Sequence, residues 1–233
     1  EARVEIAKQR LKTTVPETQK TEAREWIKAG AEEGNPEAQY LLGIAYYQGD
    51  DVPQDYTKSF EWIRRSAEQG NVEAQSYLGG LYRSGLGTPP DIDKALRWYR
   101  TAAEAGDPMS QYFTGVAHDF GARADLDPEE AAKWYTKASD AGVHQAQYNL
   151  ALLYLSGRGV KRDEVEAFMW LHLAQRSGSP HANKTLEELN ALLSEEQVLD
   201  GFRRIHARLE SQGFKTESGP VEKTPADPAT AGD

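Results

Sequence analysis

The chain contains no cysteine, which excludes disulfides, thiolate metal sites and thiol nucleophiles. It has no run of about 18 apolar residues, so no segment reads as a membrane-spanning helix. Basic residues are also scarce: 27 Lys and Arg stand against 37 Asp and Glu, a net charge of −10. With no block of Lys and Arg to neutralise phosphates, nucleic acid and anionic membranes are excluded as partners. The first residue is Glu1 rather than methionine, which loss of a secretory signal peptide and trimming of a cytoplasmic chain explain alike. The reading leans to a periplasmic or secreted protein over a cytoplasmic one.

What is present is a period. The five tryptophans stand at 26, 62, 98, 134 and 170, each 36 residues from the next. Glycine keeps the same interval at Gly34, Gly70, Gly106, Gly142 and Gly178, and again at Gly49, Gly85, Gly121 and Gly157. Asp55, Asp91, Asp127 and Asp163 form another register, and Gln39, Gln75, Gln111 and Gln147 a fourth. Agreement of several residue types on one interval marks a repeat array of about six units, each packed only on its neighbours.

One unit, residues 34–69, reads as two helices. Asn35-Pro36-Glu37 has the form of an N-cap, a first-turn proline and an acid favoured by the helix dipole. Asp107-Pro108 and Ser179-Pro180 repeat the device, and Asn71 keeps the cap without the proline. Ala38, Leu42, Gly43 and Tyr46 recur as Ala74, Leu78, Gly79 and Tyr82, one buried face at helical spacing. Gly49, Gly85, Gly121 and Gly157 fit the left-handed residue that ends this helix. The second helix opens at the recurring aspartate, and Asp127-Pro-Glu-Glu130 and Asp163-Glu-Val-Glu166 have the form of capping boxes.

Small residues flank each tryptophan, Ser59, Ala95, Ala131 and Ala167 before it and Ser66, Ala102, Ala138 and Ala174 after it, which reads as a groove for the indole. Burying an indole removes roughly 150–250 Å² from water, about 4–6 kcal/mol. The tryptophans are therefore expected to seal the array from within and to touch no ligand.

Ala-Gln, Leu-Gly, Tyr, Gly-x-Gly-Val, Asp, Ala, Trp, Ala and Gly at this period resemble the Sel-1-like repeat family, a relative of the tetratricopeptide repeat. Tetratricopeptide arrays run at 34 residues with their tryptophan in the first helix; here it falls in the second. The resemblance implies an all-α fold, a right-handed superhelical α/α solenoid of antiparallel helix pairs whose first helices line the concave side. The departures are Asp51 and Arg123 where Gly87 and Gly159 stand in other units, His118 for the expected tyrosine, and Ala151 for glycine. The third unit is expected to deviate in its loop.

The organisation that follows is a capping unit at 1–33, four repeats at 34–177, capping helices at 178–213 and a disordered tail at 214–233. In the first cap Ala2, Ile6 and Ala7 take the buried positions and Arg10 stands for tyrosine. In the last, Ser194-Glu-Glu-Gln197 opens a helix with Phe202, Ile205 and Leu209 apolar and His206 in the tryptophan register.

No catalytic chemistry emerges, and no metal or cofactor site. The Gly85-Leu86-Gly87 and Gly157-Arg158-Gly159 loops are the repeat's own turns and continue into no phosphate-binding fingerprint. The five histidines share no i, i+4 spacing suited to zinc. Asp51 and Asp55 read as a solvated loop and a helix cap rather than an acid–base pair. Some cysteine-rich members of the broad family are associated with β-lactam binding or hydrolysis, but this chain lacks both cysteine and Ser-x-x-Lys.

In related tetratricopeptide arrays, ligands lie along the first helices on residues outside the packing positions. Carried over unit by unit, the candidates are Tyr40 and Tyr47, then Arg83, then Met109, Tyr112 and Phe120, then Tyr148. Aromatic residues with an arginine among them have the composition of an interaction hot spot, although the same rings could instead pack between neighbouring first helices. The expectation is a non-enzymatic scaffold for a peptide or protein partner. The alternative is a bacterial envelope module binding peptidoglycan or another glycan.

Overall fold

A computed structural model of the chain describes residues 2–13, 16–121, 126–211 and 213. Among these, all regular structure is helical: α1 (Ala2–Lys12), α2 (Glu17–Glu32), α3 (Pro36–Gln48), α4 (Tyr56–Glu68), α5 (Val72–Ser84), α6 (Ile92–Glu104), α7 (Pro108–Phe120), α8 (Pro128–Asp140), α9 (His144–Ser156), α10 (Glu164–Arg176), α11 (Ala182–Asn190) and α12 (Glu195–Ser211). From α1 to α11 each helix packs on the one before and the one after, and α12 folds back on α10. The result is an α/α solenoid. Residues 214–233, read as a tail, and Arg123 lie outside the described residues.

The short turn between units is a Schellman motif repeated along the chain. The N–H groups of Gly34, Gly70, Gly106, Gly142 and Gly178 donate to Ala31, Ala67, Ala103, Ser139 and Gln175, and the next residue's N–H reaches back to Gly30, Ser66, Ala102, Ala138 and Ala174. These glycines hold φ between +85° and +100°, a region that a Cβ disfavours. The residue that completes the motif also caps the next helix: the side chains of Asn35, Asn71 and Asp107 accept from the N–H three residues on, at 2.7–2.8 Å. One residue thus closes one helix and opens another.

The glutamine register now has a cause. Gln39, Gln75, Gln111 and Gln147 are buried, and each side-chain amide donates to a carbonyl eight residues earlier, Ala31, Ala67, Ala103 and Ser139. These carbonyls lie in the last turn of the preceding helix, where no intrahelical donor remains.

The aspartate register caps the second helices as the sequence predicts, with Asp55, Asp91, Asp127 and Asp163 accepting from backbone N–H groups at 2.9–3.0 Å. The reciprocal half of the capping box does not form at Asp127 or Asp163. Their own N–H groups donate instead to His118 and Tyr154, as those of Asp55 and Asp91 donate to Tyr46 and Tyr82. This bond pins the start of each second helix to the end of the first, so the glutamates are left for Lys133 and Arg204. The full box does form at the last helix, where Ser194 and Gln197 bond each other's N–H groups.

The core is set one residue past each tryptophan. Ile27, Ile63, Tyr99, Tyr135 and Leu171 are 0–5% exposed, whereas Trp26, Trp62 and Trp98 are only half-buried and Trp134 and Trp170 alone are buried. The small residues flanking the tryptophans therefore admit the facing first helix rather than the indole: a Cβ on Gly43 would meet Ile63 at 2.5 Å and the Ser59 carbonyl at 3.3 Å. Four of the indoles lie under cations, Arg10 over Trp26 at 4.9 Å, Arg65 over Trp62 at 4.7 Å, Lys137 over Trp134 at 4.0 Å and Arg208 over Trp170 at 4.1 Å.

Three further expectations are corrected, and the departure at Asp51 is accounted for. Gly121 has φ −55° and ψ 141° rather than a left-handed conformation, so the third unit leaves its first helix differently from the others. Asp51 does adopt φ 61° in place of glycine, and its carboxylate pairs with Arg24 of the preceding unit. Ser179-Pro180 does not cap a helix, because α11 starts only at Ala182. In α1 the buried residues are Val4 and Ala7, while Ala2 and Ile6 are exposed; Val4 fits against Gly30, whose missing Cβ would lie 2.9 Å from it.

Candidate functional site

Among the first helices of successive units, side chains about one period apart tie α1 to α3, α3 to α5, α5 to α7 and α9 to α11. Lys8 pairs with Glu37, and Asn71 donates to the same carboxylate at 3.0 Å. Ser76 donates to Asp107 at 2.8 Å and accepts from Ser110 at 2.9 Å, and Tyr148 bonds Thr185 at 3.4 Å. The candidate residues stand on the face that these helices form.

Tyr40 and Tyr47 are half-buried, and both meet the ring of Tyr77 edge-on, with centroids at 5.6 and 6.4 Å. Burial pushes the Tyr40 phenol well above its usual range, reinforced by Tyr77, Glu73 and Glu37. Arg83 is exposed and lies over the ring of Phe113 at 5.1 Å; among the described residues it makes no ion pair. Burial raises the phenols of both Tyr99 and Tyr112; hydrogen bonding and charge from Arg83 oppose the rise at Tyr99, and its charge opposes it at Tyr112. Tyr112 is half-buried and tilts against Phe113 and Tyr135. Met109 and Phe120 are open to solvent, at 38% and 62%, and Tyr148 rests against His181 at 5.9 Å.

Two hollows open on this face. The first, about 310 Å³, is lined by Tyr47, Tyr77, Gly80, Arg83, Tyr99, Met109 and Phe113. It draws together Tyr47, Arg83 and Met109 from three successive units. The second, about 440 Å³, lies by Asp119, Phe120, Asn149, Leu152 and Arg158. Asp119 precedes the solvent-open Phe120, yet its side chain is only 3% exposed. It accepts from Arg158 at 2.5 Å and from the Tyr135 hydroxyl at 3.3 Å, and Asn149 donates to that hydroxyl at 3.1 Å. Tyr40, Tyr112 and Tyr148 belong to neither hollow.

Sequence reasoning passed over Tyr77, Phe113 and Arg158. Tyr77 and Phe113 share a register with Leu41 and Asn149, and the mixture of apolar, aromatic and polar types gave that register no assignment. Tyr77 is 41% exposed and is the ring that joins Tyr40 to Tyr47. Arg158 sits in a turn, 39 residues from the carboxylate it meets, and nothing in its local sequence points there.

The Sel1 repeat model matches residues 36–71, 72–107, 108–143 and 144–179. No curated protein matches the chain. Among solved structures it is similar to a protective antigen of uropathogenic Escherichia coli strains displaying an SLR fold, with TM-score 0.77 and 28% identity over 95% of this chain and 50% of that one. It is also similar to a Sel1 repeat protein from Oxalobacter formigenes, with TM-score 0.63 and 28% identity over 75% of this chain and 73% of that one. The chain therefore spans half the length of the first of these structures.

Proposed function

The chain belongs to the Sel1 repeat family, and from that premise we propose that it is a non-enzymatic scaffold that holds an extended peptide or protein segment along the face of its first helices. The observation that carries this reading is the hollow shared by three consecutive first helices, where Tyr77 and Met109 stay about two-fifths exposed beside Arg83. Aromatic rings, methionine and arginine are the side chains that anchor interfaces. A surface repeated every 36 residues suits a partner that is itself extended.

Peptidoglycan or another glycan finds less support. A sugar ring stacks on an open aromatic face, whereas Tyr40 and Tyr47 meet Tyr77 edge-on at 67° and 85° and seal much of each other's surface.

The test is selection of a displayed random-peptide library against the immobilised chain. Affinities of the enriched peptides would then be measured for the wild type and for Tyr47→Ser, Tyr77→Ser and Tyr112→Ser. Losses of tenfold or more at constant helix content support the groove; unchanged affinity in all three variants overturns it.

A further inference from the structure

The first helices carry Ile44, Gly80, Val116 and Leu152 at one repeat position. Only the second of these units lacks a side chain there, and its neighbour three residues on is Arg83. Gly80 forms part of the lining of the 310 Å³ hollow. Unlike Gly79 beside it, it is not required by packing: a Cβ at Gly79 would lie 2.8 Å from the Tyr99 ring, whereas a Cβ at Gly80 would meet only the Tyr99 hydroxyl, at 3.7 Å. A glycine in a helix interior costs roughly 0.5–1 kcal/mol relative to alanine, and here no contact explains that cost. What the glycine provides is an opening beside a guanidinium.

That guanidinium is the second observation. In a chain of net charge −10, Arg83 is exposed, stacked on Phe113 and without an ion pair among the described residues. The guanidinium is steadied by the Phe113 ring and the Tyr99 hydroxyl, and its remaining N–H groups can meet a carboxylate. Apolar surface continues on both sides, Tyr47 and Tyr77 towards the preceding unit and Met109 towards the next. The arginine therefore has apolar surface on either side.

Building on the groove reading above, we infer that the hollow at Gly80 and Arg83 selects an internal acidic residue of an extended peptide, flanked on each side by an apolar or aromatic residue. Arg83 takes the carboxylate and the gap left at Gly80 admits a flanking side chain.

The experiment uses two end-blocked synthetic peptides, acetyl-Gly-Phe-Gly-Glu-Gly-Phe-Gly-amide and its Gln counterpart, titrated into the full chain and followed by two-dimensional NMR. The Glu peptide is expected to bind at least tenfold more tightly than the Gln peptide and to weaken with added salt. Arg83→Met, which keeps apolar contact with Phe113, should abolish the preference for Glu. Gly80→Leu should weaken both peptides tenfold or more without loss of thermal stability. Equal affinity for the two peptides, an unchanged preference in Arg83→Met, or full binding by Gly80→Leu would each overturn the inference. So would absence of binding by either peptide up to millimolar concentration; the groove itself would then still be judged by the library selection, which presumes no acidic residue.

Discussion

A Cβ on Gly79 would lie 2.8 Å from the ring of Tyr99, the residue that follows the third tryptophan of the ladder. The same relationship joins Gly115 to Tyr135 at 2.7 Å and Gly43 to Ile63 at 2.5 Å. In the fourth unit Ala151 stands where the others have glycine, and Leu171, the residue after the fifth tryptophan, is buried in the same core cluster. In α3, α5 and α7 the missing Cβ thus makes room for the core residue of the second helix.

Gly79→Ala is expected to destabilise the chain by about 1–3 kcal/mol through overpacking, despite the better helix propensity of alanine. One residue on, Gly80→Ala should be neutral or stabilising by up to ~1 kcal/mol. Urea denaturation of the two variants checks the contrast, and equal destabilisation would refute it.

The ladder predicts that each tryptophan is the keystone of its unit, and the structure moves that role by one position. Ile63→Ala should cost about 2–5 kcal/mol, more than Trp62→Ala at about 1–2 kcal/mol, because Trp62 is half-buried under Arg65. At the end of the array Trp170 is 1% exposed, and Trp170→Ala should cost about 3–5 kcal/mol. Denaturation midpoints of the three variants decide the order.

Asp119 and Arg158 differ in how far each can be rescued by water, with side chains 3% and 47% exposed. Arg158→Met strands a buried carboxylate and should cost about 3 kcal/mol, whereas Asp119→Asn leaves an arginine that can solvate itself and should cost about 1–2 kcal/mol. A larger loss for Asp119→Asn in chemical denaturation would count against this account.

Two groups make the docking of α12 on α10 sensitive to acid. His172, packed edge-on to Phe168 at 4.5 Å and against Phe202 at 5.2 Å, is held below its ordinary value near 6.5 by burial. Its neutral form is the one the folded state favours, so the stability it contributes is present above that value and is lost as pH falls below it. Burial pushes Asp163 up, but bonds from the Glu166 N–H, Arg204 and the Val165 N–H outweigh it and hold the carboxyl below its ordinary value near 3.8. That contribution is present above 3.8 and is lost as pH falls through the lowered value. Melting temperature should therefore drop in two stages on acidification. His172→Phe should remove only the upper stage; an unchanged slope between about pH 5 and 7 would exclude His172 as its source.

Short-range devices were the most legible part of the chain. Asn71, Asp91 and Ser194 cap helices where their local sequence says they should, because a cap and its N–H partner lie within three residues. The aromatic face was legible as composition, and Tyr47, Arg83 and Met109 do meet in one hollow. Its geometry was not legible: Tyr77, the ring that joins Tyr40 to Tyr47, stands in a register without a consistent residue type, and the gap at Gly80 looks in sequence like any other helical glycine. In α1 Ala7 is buried as expected, and the slip from Ala2 and Ile6 to Val4 has the same origin, since the match of Val4 to Gly30 belongs to another helix.

The sequence by itself determined the 36-residue period, the helix pairs, and the glycine and capping residues that punctuate them, because each depends on backbone geometry and bonds within one turn of chain. Tertiary structure alone decided that Ile63 rather than Trp62 is buried, that Asp119 meets Arg158 across 39 residues, and that Gly80 opens a hollow beside Arg83. Those outcomes depend on the rotation of each helix against its neighbours, which is set by whether one side chain finds room opposite another. Spacing along the chain carries no record of it.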